Sequence, residues 1–289
     1  MEQNNLIDLR KIFTAKVPKL MKFMPRPLFR RIQKLLHEDD INEILTKYAD
    51  LQGLDFVNAL IADFNLELEL KGIDNLMAGD RILVASNHPL GGLDGIALIS
   101  AVGNHRGDTV TPVNDFLMFV KNLEPIFIPV NKVGSGTTNK EENLRLFNET
   151  FEGDKTICYF PFGLCSRKTD DGKIQDLDWK KTFVTKSKAY RRDIVPTHID
   201  GHNTKFFYNL ARLRKKLKIK ANIEMAFLVD EFFKQRNKKL TISFGKPIPY
   251  QVFDRRFSDA QWAEKLRTFS YQLANDCNLV FDPLKTYSI

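Results

Sequence analysis

Between residues 9 and 64 apolar positions recur every three to four residues, no segment alternates as a strand does, and the pattern breaks at Pro25 and Pro27. Spacing near 3.6 places such residues on one helical face, so residues 1–64 read as a helical N-terminal module. Within it Leu28, Phe29, Ile32, Leu35 and Leu36 share a face while Arg30, Arg31 and Lys34 occupy others. Lys19, Lys22 and Arg26, with Leu20, Met21, Phe23 and Met24, extend this character upstream. A basic amphipathic helix of this kind either packs on its own domain or lies on a membrane surface, and periodicity leaves both open.

From residue 65 the pattern changes to short apolar runs: LELEL at 66–70, RILVAS at 81–86, TVTPV at 109–113, PIFIPV at 125–130, KTICYF at 155–160 and DIVPTHI at 193–199, then ANIEMAFLV at 221–229 and KLTISFGKPI at 239–248. Helical stretches at about 95–102, 115–121, 140–151, 179–190, 204–218 and 258–276 separate or follow them. The alternation predicts an α/β domain over 65–289, with a mixed, partly parallel sheet flanked by helices. On the helix at 204–218, Phe206, Leu210, Leu213 and Leu217 fall on one face with Arg212, Arg214, Lys215 and Lys216 around it. Core packing is the commoner use of such a face, and membrane contact is the alternative.

Composition narrows the classes. Hydrophobic residues are 43% of 289, ample for a core. A net charge of +8 favours an anionic partner: nucleic acid, an anionic bilayer or an acidic carrier protein. The chain carries no RNA-binding aromatic motif, zinc-finger spacing or helix-turn-helix pattern, so nucleic acid is not expected. Cys158, Cys165 and Cys277 form no CxxC pair and are odd in number, which fits a reducing compartment. The N-terminus lacks a signal-peptide core, and no run reaches the ~20 apolar residues of a spanning helix. The expectation is a cytoplasmic protein, peripheral on the inner face of the cell membrane.

The chemistry concentrates in residues 86–95, SNHPLGGLDG, directly after RILVA and before a helix. His88 stands at the C-terminal end of a strand on a glycine-rich turn, where α/β folds build sites, and Asp94 lies across that turn. An imidazole can take a proton from an alcohol, and a carboxylate on its other nitrogen fixes the tautomer. The same residues also fit a structural arrangement, with His88 capping the turn and Asp94 as N-cap of the helix. His198, on an apolar strand, is expected in the core, and His202 with Asp200 and Asn203 is a weaker candidate for the cleft. Asn114 and Asp115 read as a helix cap, and the glycine-rich stretch 134–138 as a loop over the site. There is no GxSxG elbow and no metal-loop spacing, so neither a covalent intermediate nor a metal is expected.

Asn87, His88 and Asp94 resemble the first motif, NHxxxxD, of the phosphate and lysophospholipid acyltransferase family (PlsC-like), with five residues between His and Asp where the family has four. Gly91 and Gly92 can absorb the extra residue as a bulge. The form HPLGGLDG is similar to a bacterial branch labelled hemolysin or lyso-ornithine-lipid acyltransferase. Residues 125–134, PIFIPVNKVG, resemble the second motif, with Asn131 and Lys132 where an arginine is usual. Residues 159–168, YFPFGLCSRK, resemble the third, FPEGTRS, and IVPTHI at 194–199 the fourth. Phe160, Pro161, Gly163 and Ser166 match the third motif, whereas Phe162, Leu164 and Cys165 replace its glutamate, threonine and arginine.

The resemblance implies transfer of an acyl chain from acyl-carrier protein or coenzyme A to the hydroxyl of a lysolipid, with His88 as base and Asp94 orienting it, and no bound cofactor. It implies substrate contacts from Asn87, Gly91, Gly92, Asn131, Lys132, Gly163, Ser166, Arg167 and Lys168. The altered third motif points to an amino-acid lysolipid, of ornithine or glycine type. Lysophosphatidate as acceptor, and a noncatalytic lipid-binding protein, are the alternatives.

Overall fold

A computed structural model describes residues 6–16, 18–113, 117–130, 140–219 and 222–289. Asn131, Lys132, the stretch 134–138 and the cap candidates Asn114 and Asp115 lie outside the described residues. The chain opens on helices α1 (Leu9–Lys16), α2 (Pro18–Lys22), α3 (Arg26–Leu35), α4 (Glu38–Lys47) and α5 (Gly53–Asp63). Pro27 falls in the first turn of α3, where a missing N–H forfeits no helical bond. Phe29 of α3 is buried edge-on against Phe13, ring centroids 6.0 Å apart, with Arg10 over its face.

Strands and helices then alternate: β1 (Glu67–Lys71), β2 (Ile82–Ser86), α6 (Leu93–Arg106), β3 (Thr109–Val113), β4 (Phe127–Pro129), α7 (Lys140–Glu152) and β5 (Thr156–Tyr159). The hairpin of β6 (Arg167–Lys168) and β7 (Ile174–Gln175) follows, and then α8 (Thr182–Tyr190), β8 (Asp193–Asp200) and α9 (Lys205–Lys216). The last elements are α10 (Leu228–Phe233), β9 (Lys239–Phe244) and α11 (Asp259–Gln272). Among the described residues seven strands form one sheet in the order β1-β9-β8-β2-β5-β3-β4. The pairs from β8 to β4 are parallel, β9 runs antiparallel to β8, and β1 is parallel to β9, so the sheet is mixed and mostly parallel.

Alternation along β2 explains the layers. Ile82 and Val84 belong to a core with Phe56 and Leu60 of α5 and Ile96 and Ile99 of α6, which also takes in Ile44 and Leu45 of α4. Leu83 and Ala85 face the opposite layer, with Phe151 of α7, Phe183 of α8 and Trp262 and Leu266 of α11. A strand covered on both faces must be apolar throughout, and every residue of β2 is buried. Because β2, β5 and β8 are parallel, their C-terminal ends share one edge, which puts Ser86, Tyr159 and Asp200 on the same side of the sheet.

Two expected elements differ. Where a helix is expected at 115–121, the described residues form a pair of 3₁₀ turns, Leu117–Phe119 and Lys121–Ile126; Pro125 lies inside the second, and the Asn122 amide is drawn to the carbonyls of Tyr48 and Leu51. The described part of the run at 221–229, from residue 222 on, is not a strand. Ile223–Phe227 forms a 3₁₀ turn leading into α10, because Glu224, a polar position that strand alternation would send to water, is fully buried between two arginines.

Candidate active site

β2 ends at Ser86 and the chain turns sharply. Asn87 points back into the sheet: its Nδ2 donates to the Ile199 carbonyl at 2.9 Å, and its Oδ1 accepts from the Ile199 N–H at 2.7 Å. The amide therefore staples the turn to β8. His88 follows, its side chain 16% exposed. Its Nδ1 is 2.9 Å from Asp94 Oδ2, and its ring stacks on Phe160, centroids 4.1 Å apart.

The Asp94 carboxylate is fully buried and ringed by backbone donors. Leu90 N–H (2.9 Å) and Gly91 N–H (3.3 Å) reach Oδ2, and Gly92 N–H (2.9 Å) and Gly95 N–H (3.0 Å) reach Oδ1. The residue that lengthens the motif is thus part of a loop wrapped around the carboxylate. Gly91 makes the wrap possible: its φ is +77°, and a Cβ there would lie 2.7 Å from the Cβ of Cys165. The N-cap of α6 is Gly92 rather than Asp94, which lies inside the first turn. Burial alone would raise the Asp94 pKa, but His88 and the backbone donors outweigh it and hold the carboxyl below its ordinary range. Burial likewise works against a charged His88, yet Asp94, with Asp176 adding to it, holds the imidazole above its ordinary value. With Asp94 ionised, Nδ1 carries the proton of the neutral ring and Nε2 presents the lone pair.

In the third-motif segment two polar side chains meet partners within the protein. Ser166 is fully buried, and its Oγ donates to Asp176 Oδ1 at 2.6 Å. Arg167, 12% exposed, donates to the Cys165 carbonyl and Sγ, each at 2.8 Å, and to Glu224 Oε1 at 3.1 Å. On the far side of Glu224, Arg214 Nε stands 2.8 Å from Oε2. Ser166 and Arg167 are therefore both engaged within the protein. Lys168 is half-buried in the β6–β7 hairpin, and exposed Gly163 makes the turn after β5 with φ +68°. His198 is buried edge-on to Tyr271, and burial pushes it down to about 4, a neutral core histidine. Asp200 and His202 line a cavity of about 170 Å³ with Leu90 and Leu93, beside the His88 turn, while the Asn203 amide grips the Leu90 carbonyl at 3.3 Å. Burial pushes the Cys165 thiol up to about 11 and Cys158 higher still.

Asp176 escapes the sequence. It sits just past β7 in a stretch, KIQDLDW, that carries no motif, and it is fully buried behind His88. Phe160 was legible as a motif residue, but not as the surface on which the imidazole stacks.

A family model described as Acyltransferase matches residues 11–279, and the chain belongs to that family. It is 43% identical, over 269 residues, to the lyso-glycine lipid O-acyltransferase of Bacteroides thetaiotaomicron, covering 93% of this chain and 97% of the relative. It is 42% identical, over 269 residues, to the protein of the same description from Phocaeicola vulgatus, covering 93% and 95%. The solved 1-acyl-sn-glycerophosphate acyltransferase PlsC of Thermotoga maritima aligns over 92% of this chain and 93% of its own, with 14% identity and a TM-score of 0.47.

Proposed function

We propose that this acyltransferase moves a fatty acyl chain from an acyl thioester, on acyl-carrier protein or coenzyme A, to the hydroxyl of a lyso-amino-acid lipid of the glycine type. The observation that carries the acceptor is the similarity, 43% and 42% identical over 93% of this chain, to two proteins described as lyso-glycine lipid O-acyltransferases. His88 acts as general base and Asp94 orients it. As the acceptor oxygen attacks the thioester carbonyl, its proton passes to His88 Nε2; the tetrahedral intermediate collapses with loss of the C–S bond, and the same proton goes to the departing thiolate. The loop around Asp94 fixes the tautomer before substrate arrives, since five hydrogen bonds converge on the carboxylate.

The acceptor is a lipid, and contact with an anionic membrane is part of this proposal. Among the described residues no helix is long and apolar enough to cross a membrane. On α9 the buried face is Phe207, Tyr208 and Ala211, while Phe206 (51%), Leu213 (52%) and Leu217 (60%) are exposed among Arg212, Lys215 and Lys216. An apolar stripe with a basic border suits the headgroup region of an anionic bilayer. On α3 the central apolar residue, Phe29, is already used inside the protein, so α9 is the better candidate surface.

The test is direct competition. Purified protein is given an N-(3-hydroxyacyl)glycine and lysophosphatidate together, with acyl-carrier-protein and coenzyme A thioesters, and products are read by mass spectrometry. The O-acylated glycine lipid is expected to dominate; lysophosphatidate acylated equally well or better would overturn the acceptor.

A further inference from the structure

Behind the proposed base stands a second buried carboxylate. Asp176 Oδ1 accepts from Ser166 Oγ at 2.6 Å and from the backbone N–H of His88 at 3.2 Å, and Oδ2 accepts from Trp179 Nε1 at 2.9 Å. The Ser166 N–H donates in turn to the His88 carbonyl at 2.8 Å, so both polar backbone groups of His88 are tied to the Ser166–Asp176 pair. Asp176 is itself anchored by α11: its N–H donates to the Tyr271 hydroxyl at 2.7 Å, and Arg267 Nη1 donates to its carbonyl at 2.9 Å. The α11 N-terminus is fixed by a capping box between Ser258 and Gln261. A chain of contacts thus runs from the C-terminal helix to the backbone of the proposed base.

We infer that Asp176 is a positioning residue of the transfer reaction: it sets the backbone of His88 so that the ring meets Asp94 and Phe160, and its negative charge favours the imidazolium formed when the acceptor proton is taken. The inference rests on His88 being the base, the function proposed above. Burial pushes the Asp176 carboxyl above the ordinary range, and the hydrogen bonds it accepts from Ser166, Trp179 and the His88 N–H work in the opposite direction, towards the ionised form. Among the described residues the charged and titratable groups acting on the imidazole are Asp94 from α6 and Asp176. Behind these stand Cys165 and Arg167, which contact each other, and Tyr271 and Arg267 against Asp176.

Asp176→Asn keeps the volume of the side chain and removes its charge. With the intact protein, kcat is expected to fall about tenfold or more while KM for the acceptor stays within about twofold. The acidic limb of kcat/KM is expected to move to lower pH, because an imidazole that has lost a neighbouring anion gives up its proton more easily. A side chain that served folding alone would lower the melting temperature without moving that limb. NMR titration of the His88 ring without substrate is expected to show the same downward move. That measurement separates the two proposals: no transfer by the wild-type protein, with the ring still shifting in the variant, counts against the reaction and for the placement of Asp176. An unmoved ring and an unchanged kcat overturn the role of Asp176. Should Asp176→Asn fail to fold, Ser166→Ala decides, since it removes one donor and leaves the charge; a several-fold lower kcat at unchanged KM supports the role, and an unchanged kcat overturns it.

Discussion

An imidazole serves as a base only while unprotonated, and the carboxylates beside His88 favour its charged form. Its pKa lies above the ordinary value, burial being outweighed by Asp94 and then Asp176. Turnover is therefore expected to rise with pH through a value above about 6.5 and to be lost below it, a limb checked by kcat/KM against pH. An acidic limb below the free-histidine value would show that the carboxylates do not act on the ring. His88→Ala is expected to abolish transfer with an unchanged melting temperature, and Asp94→Asn to cost about 10²-fold or more, measured with purified protein. Near-normal turnover in His88→Ala would remove the mechanism. At this scale the sequence reveals what chain neighbours share: His88 and Asp94 are six positions apart on one turn, and the histidine-on-a-turn pattern is local. Asp176 is 88 positions from His88 and meets it only because the β6–β7 hairpin folds back, so no spacing could have announced it. Ser166 is legible as a motif residue and Arg167 as a cation beside the motif, but the partners that burial gives them, Asp176 and Glu224, are not.

Among the elements, strands with apolar neighbours on both faces were the most legible, and β3 falls on the predicted run 109–113. The run at 221–229 misled because period-two alternation cannot distinguish a polar residue facing water from one buried in an ion pair, as Glu224 is. Helix α9 shows a related limit. Periodicity finds its apolar face, Phe206, Leu210, Leu213 and Leu217, but not that the fold buries the neighbouring face of Phe207, Tyr208 and Ala211 and leaves Phe206, Leu213 and Leu217 exposed. If the exposed stripe enters a bilayer, replacing all three residues with glutamine removes apolar area that contributes about 25 cal/mol per Å² buried. Vesicle co-sedimentation is expected to fall at least tenfold, while transfer to a short-chain acceptor dissolved below its micellar concentration is unchanged. Vesicle binding equal to that of the parent would move the membrane surface elsewhere.

Taken over the whole molecule, a formal charge of +8 says that an anionic partner is favoured without saying where it sits. The fold offers one surface that would suit such a partner. Residues 205–218 contain six basic side chains and no acidic one. Arg214 among them is drawn to buried Glu224, which leaves Arg212, Lys215 and Lys216 bordering the apolar stripe of α9. Exposed charges act over about 10 Å at 0.1 M salt and about 3 Å at 1 M, whereas apolar insertion is not screened. Two components of membrane binding should therefore separate. Raising salt from about 0.1 M to 1 M is expected to weaken binding to vesicles rich in anionic lipid and to bring it down to the level seen with neutral vesicles, with transfer to a dissolved acceptor unaffected. Charge reversal of Arg212, Lys215 and Lys216 to glutamate should have the same effect at low salt. Binding that is indifferent to salt and to the anionic fraction would assign the excess positive charge to a different partner, the acidic carrier protein that can deliver the acyl chain. In that case the salt dependence should appear in the KM for acyl-carrier-protein thioesters and be weaker for coenzyme A thioesters.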